Sequence, residues 1–551
     1  MFNSAGISAS HGHDRHDDVS ARLAETGRVP SPRDGSDGAI CMRLRPDGAP
    51  ARDTEIDMRL IDATALTGPA THALARPGYD RNAVSPGIAH IGVGNFHRAH
   101  QALYIDRCLH DPAQKTWGIC GIGLGGSAAS RVKAQALGDQ DCLYTLTESA
   151  PDGTISTRLI GAITDYRLAP DNPGAVLDMM ADPAIRIVSL TITEGGYNID
   201  PASGRFVSDH EDVRHDLTHP ASPRTAFGYI VEALDRRRRT GAGPFTVLSC
   251  DNQRGNGDVA REAVLGFARA RNADLAAWIE HHVSFPNSMV DRIAPGVTAE
   301  HGMAVAARTG FHDASPVVAE AFTQWVVEDD FCNGRPDLAA AGVELVTDVA
   351  PFEAMKGRLL NASHMMLAFP GLLAGYRLAD EAMRDERMQS LLRTFMDRDV
   401  LPIIEGPQGV SLEDYRDEVM RRFSNPAVGD QLLRIASDGA NKIPTFLAAT
   451  LGTALEQKRD LNRLAFVLAC FARYFAGVDD HGQRFVPIEP NLPPAIIESI
   501  ARDPLALLTA PPLAALELDR SSAFRQAFER ALMLLDDHGA LGALERLPIA
   551  S

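Results

Sequence analysis

The segment Ile88-Ala-His-Ile91-Gly92-Val93-Gly94-Asn95-Phe96 constrains the fold of this chain more than any other. It is a short apolar run that meets a Gly-x-Gly turn and continues into a helical pattern. Such a turn aims backbone N–H groups at the start of a helix toward an anion, and the glycines let a pyrophosphate come close. The signature departs from G-x-G-x-x-G, because His97 holds the third glycine position. Gly92, Gly94, Asn95, Phe96, His97 and Arg98 are therefore the candidate dinucleotide-binding residues, with the side chains of His97, Arg98 and His100 expected close to the phosphates.

The texture that follows repeats this theme. The β-rich runs TWGICGIGL, IRIVSLTIT and FTVLSCDN alternate with the helix-like stretches AFGYIVEALDRRRR and GDVAREAVLGFARARNADLAAWIEHH. Strands alternating with helices predict a parallel sheet with helices on its faces. From about residue 346 the β signal fades, and FEAMKGRLLNASHMMLAF, DEVMRRF, DQLLRIAS and RLAFVLACFARYFAG read as helices. The expected architecture is an α/β Rossmann-type N-terminal domain over residues 57–345 and a mainly α-helical C-terminal domain over 346–551. Residues 1–56 are rich in Gly, Ser, Asp, Arg and Pro without apolar periodicity, and read as a disordered extension. The run of His11, His13 and His16 within them reads as a polar tail, since a metal site needs ligands fixed by a fold.

Charge and cysteine usage narrow the setting. With 72 acidic against 54 basic residues the formal charge is −18, which argues against nucleic acid or an anionic membrane as the main partner. No stretch approaches the ~20 apolar residues that span a bilayer, and the N-terminal MFNSAGISASHGHDRHDD lacks a secretion signal. The seven cysteines are scattered, odd in number and without a CxxC pair, as free thiols in a reducing compartment would be. A cytoplasmic globular protein is expected.

The second β-rich run, Trp117–Leu124, should end beside the adenosine ribose of a bound dinucleotide. A carboxylate there favours NAD, whereas cations or small polar groups admit a 2′-phosphate. The chain continues Gly125-Gly-Ser127-Ala-Ala-Ser130-Arg131-Val-Lys133 without an acid, which leaves NAD against NADP open.

The helix-like stretch Phe352-Glu-Ala-Met-Lys356-Gly-Arg-Leu-Leu-Asn361-Ala-Ser-His364 carries the chemistry. At about 100° per residue, Lys356, His364 and Asn361 fall at roughly 0°, 80° and 140°, on one side of an otherwise apolar helix. Oxidising an alcohol requires a base for the hydroxyl proton and donors for the developing carbonyl oxygen. A lysine with a depressed pKa can be that base, an asparagine amide can donate, and a neutral imidazole can orient. No HExxH, Cys/His zinc spacing or nucleophile elbow is present, and no metal is expected.

At this point longer strings become informative. GIAHIGVGNFHRAHQALY, SLTITEGGYNID, SCDNQRGNG, FPNSMVDRI, FTQWVVEDDF-NGRP, EAMKGRLLNASH and RIASDGANK follow one another in order. They resemble the polyol-specific long-chain dehydrogenases, and most of all their mannitol branch, from about residue 58 to near the C-terminus. The resemblance implies a nicotinamide cofactor, NAD by the family's habit, with the active site in the cleft between the two domains. It implies hydride transfer at C2 of a hexitol, D-mannitol to D-fructose, with D-arabinitol to D-xylulose as a side activity. It assigns Lys356 as base, Asn252 and Asn361 to the substrate oxygen, and His364 to its K-x(4)-N-x(2)-H place. It gives Glu353 to proton exchange with water, and Asp291, Arg434 and Lys442 to the polyol's other hydroxyls. A monomer is the expected state.

Three departures stand out. The GGSAAS turn lacks the acid of NAD-preferring relatives, Ala321 stands where proline is common, and the extension before residue 57 has no counterpart. A uronate reductase of the same family is the alternative function, because Arg434 and Lys442 could pair with a carboxylate. A non-catalytic sugar or dinucleotide sensor is a further rival, since function resides in the site rather than the fold, and a zinc-dependent polyol dehydrogenase is a third.

Overall fold

Parallel strands buried on both faces need apolar residues throughout, and the first β-rich run meets that requirement. In a computed structural model, which describes residues 59–66, 74–200 and 203–548, it forms β1 (Pro86–Ile91). With β2 (Gly118–Gly123), β3 (Ile163–Leu168), β4 (Ile187–Leu190) and β5 (Thr246–Ser249) it builds a five-stranded, all-parallel sheet in the order 3-2-1-4-5. This is the Rossmann-type arrangement predicted, with its switch point between β1 and β4. Ile88 enters the core on one face, while Ala89 and Ile91 enter the core on the other. The predicted extension and its histidines lie outside the described residues.

Helix ends follow local chemistry. α1 (Asn95–Ala99) and α2 (Gln101–Cys108) are two short helices broken at His100, where one continuous helix was expected. α3 (Ala128–Asp139) is capped by Ser127, whose hydroxyl accepts from Ser130 N–H. α4 (Ala226–Thr240) starts at Thr225 and stops at Gly241 in the left-handed region, φ 74°. The long stretch read downstream of β5 is also two helices, α5 (Asn256–Arg271) and Ala273–His282, because Asn272 caps the second.

Among the described residues three further small sheets complete the N-terminal half, one of them the parallel pair Arg59–Leu60 and Phe311–His312. Tyr144–Ser149 pairs with Ile155–Ile160 as a hairpin, and β6 (Ser288–Asp291) runs antiparallel to Gln324–Glu328. The expected helical C-terminal domain follows, its main helices being α6 (Ala350–Lys356), α7 (Ala362–Leu373), α8 (Leu412–Phe423), α9 (Gly439–Glu456), α10 (Asn462–Tyr474) and α11 (Ser522–Arg546, broken by a kink at Gly539). Its core extends back to Met289 of β6 and to Val326. Val290, next to Met289, belongs to a core of the parallel sheet. Adjacent residues of one strand thus anchor the cores of both halves.

The Gly-x-Gly turn divides its labour. Gly92 adopts φ 100°, and a Cβ there would overlap the Thr191 carbonyl oxygen across the switch point. A Cβ on Gly94 would meet nothing nearer than 3.8 Å, so the protein itself does not require glycine at that position. We predict that Gly92→Ala costs about 1–3 kcal/mol of stability through backbone strain. Gly94→Ala should leave the melting temperature close to wild type and weaken dinucleotide binding instead. Thermal denaturation and cofactor titration of the two variants check this.

Candidate active site

The loops after β1, β4 and β5 meet at the C-terminal edge of the sheet, where open α/β folds bind ligands. Asp251 ties two of them together. Its carboxylate accepts from Ile192 N at 3.0 Å, Thr193 N at 2.9 Å and the Tyr197 hydroxyl at 2.6 Å. Thr193 has φ 64°, a costly conformation for a β-branched residue, and the bond to Asp251 holds it there. Asn256 fixes the far end of the β5 loop by donating to the carbonyls of Asp251 (2.9 Å) and Ser288 (2.8 Å) while accepting from Ser288 N. Asn252 stands between these clamps and reaches the site.

Lys356 ends α6 and is 6% exposed. Its ammonium nitrogen donates to the Val290 carbonyl at 2.7 Å and to Asn252 Oδ1. Burial lowers its pKa below the ordinary lysine value; Asp291 opposes that shift and Arg422 reinforces it. The next turn, Gly357–Asn361, is a π-helix, with Ala362 N–H bonded to Gly357 O. The 100° wheel therefore fails here: the wider i→i+5 turn lowers the rotation per residue and brings Asn361 closer to the Lys356 side than 140°.

Two cavities flank this turn. One, of about 350 Å³, is bordered by Phe96, Asn252, Asp291, Lys356, Asn361, His364, Arg434 and Lys442. The other, of about 330 Å³, is bordered by Asn252, Glu353, Lys356, Asn361 and Thr445. Asn252, Val290, Lys356, Asn361 and Phe446 border both cavities and form the wall between them. The structure thus gathers all the residues expected for chemistry and substrate around one partition, with Glu353 on the second side. Glu353 accepts from Gly255 N at 2.9 Å, and burial raises its pKa. His364 Nε2 is buried without a protein partner, and burial together with Arg434, Arg422 and Lys442 keeps the ring neutral. Arg434 is engaged with Asp430, and Lys442 donates to the Ile435 carbonyl at 3.0 Å. Asp291 is held bidentately by Arg422, with both bonds at 2.8 Å. Sequence reasoning missed Arg422.

The side chains of His97 and Arg98 correct an expectation. His97 is fully buried and stacks on His90 at 3.4 Å, and burial drives its pKa well down, so it carries no charge. Arg98 is 3% exposed and donates to the carbonyl and hydroxyl of Ser315 and to Asn95 Oδ1 at 2.8 Å. His100 is likewise buried, bonded to the Gln324 carbonyl at 2.9 Å. These side chains brace the turn from inside and are not available as phosphate cations. Gly92, Gly94, Asn95 and Phe96 are partly exposed, and Phe96 borders the first cavity. Among the described residues no group of three or more His, Cys, Asp or Glu could hold a metal, and no helix is long and apolar enough to cross a membrane. The six described cysteines are free.

The Gly-x-Gly turn and the polar partition beyond it fit a nicotinamide-dependent oxidoreductase. Comparison with known proteins places it further. The mannitol dehydrogenase Rossmann domain matches residues 86–340, and the mannitol dehydrogenase C-terminal domain matches 348–533. The chain belongs to the mannitol dehydrogenase family. It is 51% identical to a polyol:NADP oxidoreductase of Gluconobacter oxydans over 75% of this chain and 85% of that protein. Its structure resembles Pseudomonas fluorescens mannitol 2-dehydrogenase in a ternary complex with NAD and D-mannitol, at 42% identity and TM-score 0.81, covering 88% and 98% of the two chains. A D-sorbitol dehydrogenase in substrate-free form matches at 45% identity and TM-score 0.81, covering 88% of this chain and all of the other.

The internal role of Arg98 is testable. Arg98→Ala should cost about 1–3 kcal/mol of stability by leaving the Ser315 carbonyl unpaired, with dinucleotide affinity nearly unchanged in the folded fraction. A large loss of affinity without loss of stability would restore the phosphate role.

Proposed function

We propose that the protein interconverts D-mannitol and D-fructose, with D-arabinitol and D-xylulose as a second pair, by hydride transfer at C2 without a metal. The carrying observation is the buried Lys356 on the wall between two cavities, with amides on either side of it. In oxidation, Lys356 as the free amine takes the C2 hydroxyl proton. The Oδ1 of Asn252 is engaged by Lys356, so its amide N–H groups are left for the substrate oxygen, and Asn361 supplies a second amide. His364 Nε2 aligns that oxygen. Asp291, Arg434 and Lys442 bind the remaining hydroxyls, and Glu353 passes the lysine's proton to water through the second cavity. Gly92, Gly94, Asn95 and Phe96 would hold the dinucleotide, whose nicotinamide ring supplies the hydride acceptor when bound. Residues 57–345 would carry that dinucleotide and 346–551 most of the substrate contacts.

NAD is the family's usual cofactor, but we propose that NADP(H) also serves. The ribose-side turn Gly125–Ser130 has no carboxylate to repel a 2′-phosphate, and the Ser127 hydroxyl is used to cap α3. A uronate substrate is less well supported, because the Arg434 guanidinium already carries the charge of Asp430.

Lys356→Ala should lower turnover by about 100- to 10,000-fold, the usual range for removing a general base, while the fold is retained. In the wild type, polyol oxidation should rise with pH as Lys356 loses its proton, and ketose reduction should fall over the same range. Near-normal rates in the variant, or parallel pH profiles in the two directions, would contradict the assignment. Ser127→Asp, which can still cap α3, should reduce kcat/KM for NADPH at least about tenfold relative to NADH through charge repulsion.

A further inference from the structure

Outside the residues assigned above, one helix touches the site on two sides. The buried face of α8 carries Tyr415, Val419, Arg422 and Phe423. The Arg422 side chain has no solvent exposure and meets two carboxylates. It bonds Asp291 through both terminal nitrogens, and Glu320 through Nε at 3.0 Å and Nη2 at 2.8 Å. Its guanidinium lies 4.1 Å from the centre of the Phe322 ring. The Tyr415 hydroxyl donates to Asp291 Oδ2 at 3.0 Å. Phe423 stacks on the His364 ring at 4.3 Å, tilted 18°.

We infer that Arg422 is a positioning residue for the reaction, fixing Asp291 toward the substrate's hydroxyls and setting the charge that Lys356 faces. The inference rests on the roles proposed above for Lys356 and Asp291. The physical argument has two parts. Two buried carboxylates near one another cannot both stay ionised without a cation between them, and the planar fork of an arginine fits both where a lysine's point charge does not. With Arg422 in place, Asp291 stays ionised and in one orientation: burial would raise its pKa, but Arg422 brings it down to about 2. The second part concerns Lys356. The charged groups around it are Asp291 on β6, Glu353 on its own helix and Arg422 on α8. His100, at the break before α2, also faces it and is neutral, as is His364 on α7, while Arg434 and Lys442 lie farther round the same cavity. Asp291 favours the ammonium and Arg422 disfavours it, so Arg422 offsets part of the pull of Asp291 on Lys356.

The test is the pH dependence of kcat/KM for mannitol oxidation, with KM and kcat separated, in four variants. Arg422→Met should raise KM about tenfold or more and move the ascending limb about one pH unit upward, because Glu320, whose carboxyl burial already raises, takes up the proton while Asp291, which Lys356 also stabilises, stays ionised and acts on Lys356 unopposed. Arg422→Met with Asp291→Asn should return the limb close to its wild-type position while KM stays high. Arg422→Lys keeps the charge and loses the fork, so the limb should hold while KM rises. Tyr415→Phe removes only one bond to Asp291 and should give a smaller KM increase with no shift. If Arg422→Met does not fold, the lysine variant decides, and wild-type KM in it overturns the inference. An unmoved limb in a folded Arg422→Met also overturns it. A wild-type profile with no ascending limb would instead overturn the lysine assignment on which the inference rests.

Discussion

Four consecutive residues, Ser288-Met-Val-Asp291, are buried between two cores, and the rest of the site depends on that strand holding its register. Met289 packs into the helical half and Val290 into the sheet half. Ser288 is bonded to Asn256 and Asp291 to Arg422. Successive side chains of a strand point to opposite faces, so a slip of one residue would exchange all four environments at once. The Val290 carbonyl, held still by this double burial, accepts from Lys356. The same strand therefore places Lys356, the proposed base, holds Asp291 near it and joins the two halves of the molecule.

Burial is what gives the site its chemistry. Lys356 is removed from water but keeps two hydrogen-bond acceptors, so its neutral form becomes accessible without leaving an ammonium unpaired. The π-turn after it brings Asn361 toward the lysine's side of the helix, and Lys356 borders both cavities. Preorganised amides and a fixed carboxylate need no rearrangement as charge develops, which is where electrostatic catalysis gains most.

Much of this was legible in the sequence, and the gaps have physical causes. The Gly-x-Gly turn and the alternating runs gave the Rossmann-type half, since their signals are local: period, turn residues and caps. The Lys356, Asn361 and His364 spacing was legible as chemistry, but the π-turn was not, because nothing in Gly-Arg-Leu-Leu-Asn distinguishes an i→i+4 from an i→i+5 turn before packing acts. The hairpin Tyr144–Ile160 was passed over because its polar strands, such as ISTRLI, lack a continuous apolar run. His97 and Arg98 look like surface cations in sequence and are internal braces in the fold. Arg421 and Arg422 are chemically identical neighbours. One lies on the surface against Glu418 and the other joins two carboxylates from the opposite half, a difference only the tertiary contacts create.

The account stands or falls on the substrate that this buried lysine serves. The most direct measurement is the initial rate of reduction of fructose and of fructuronate, each with NADH and with NADPH. Fast fructose turnover, supported by NADPH as well as NADH, is the predicted result. Turnover of fructuronate alone would contradict the mannitol assignment, and no turnover of either would contradict the enzymatic reading of the site.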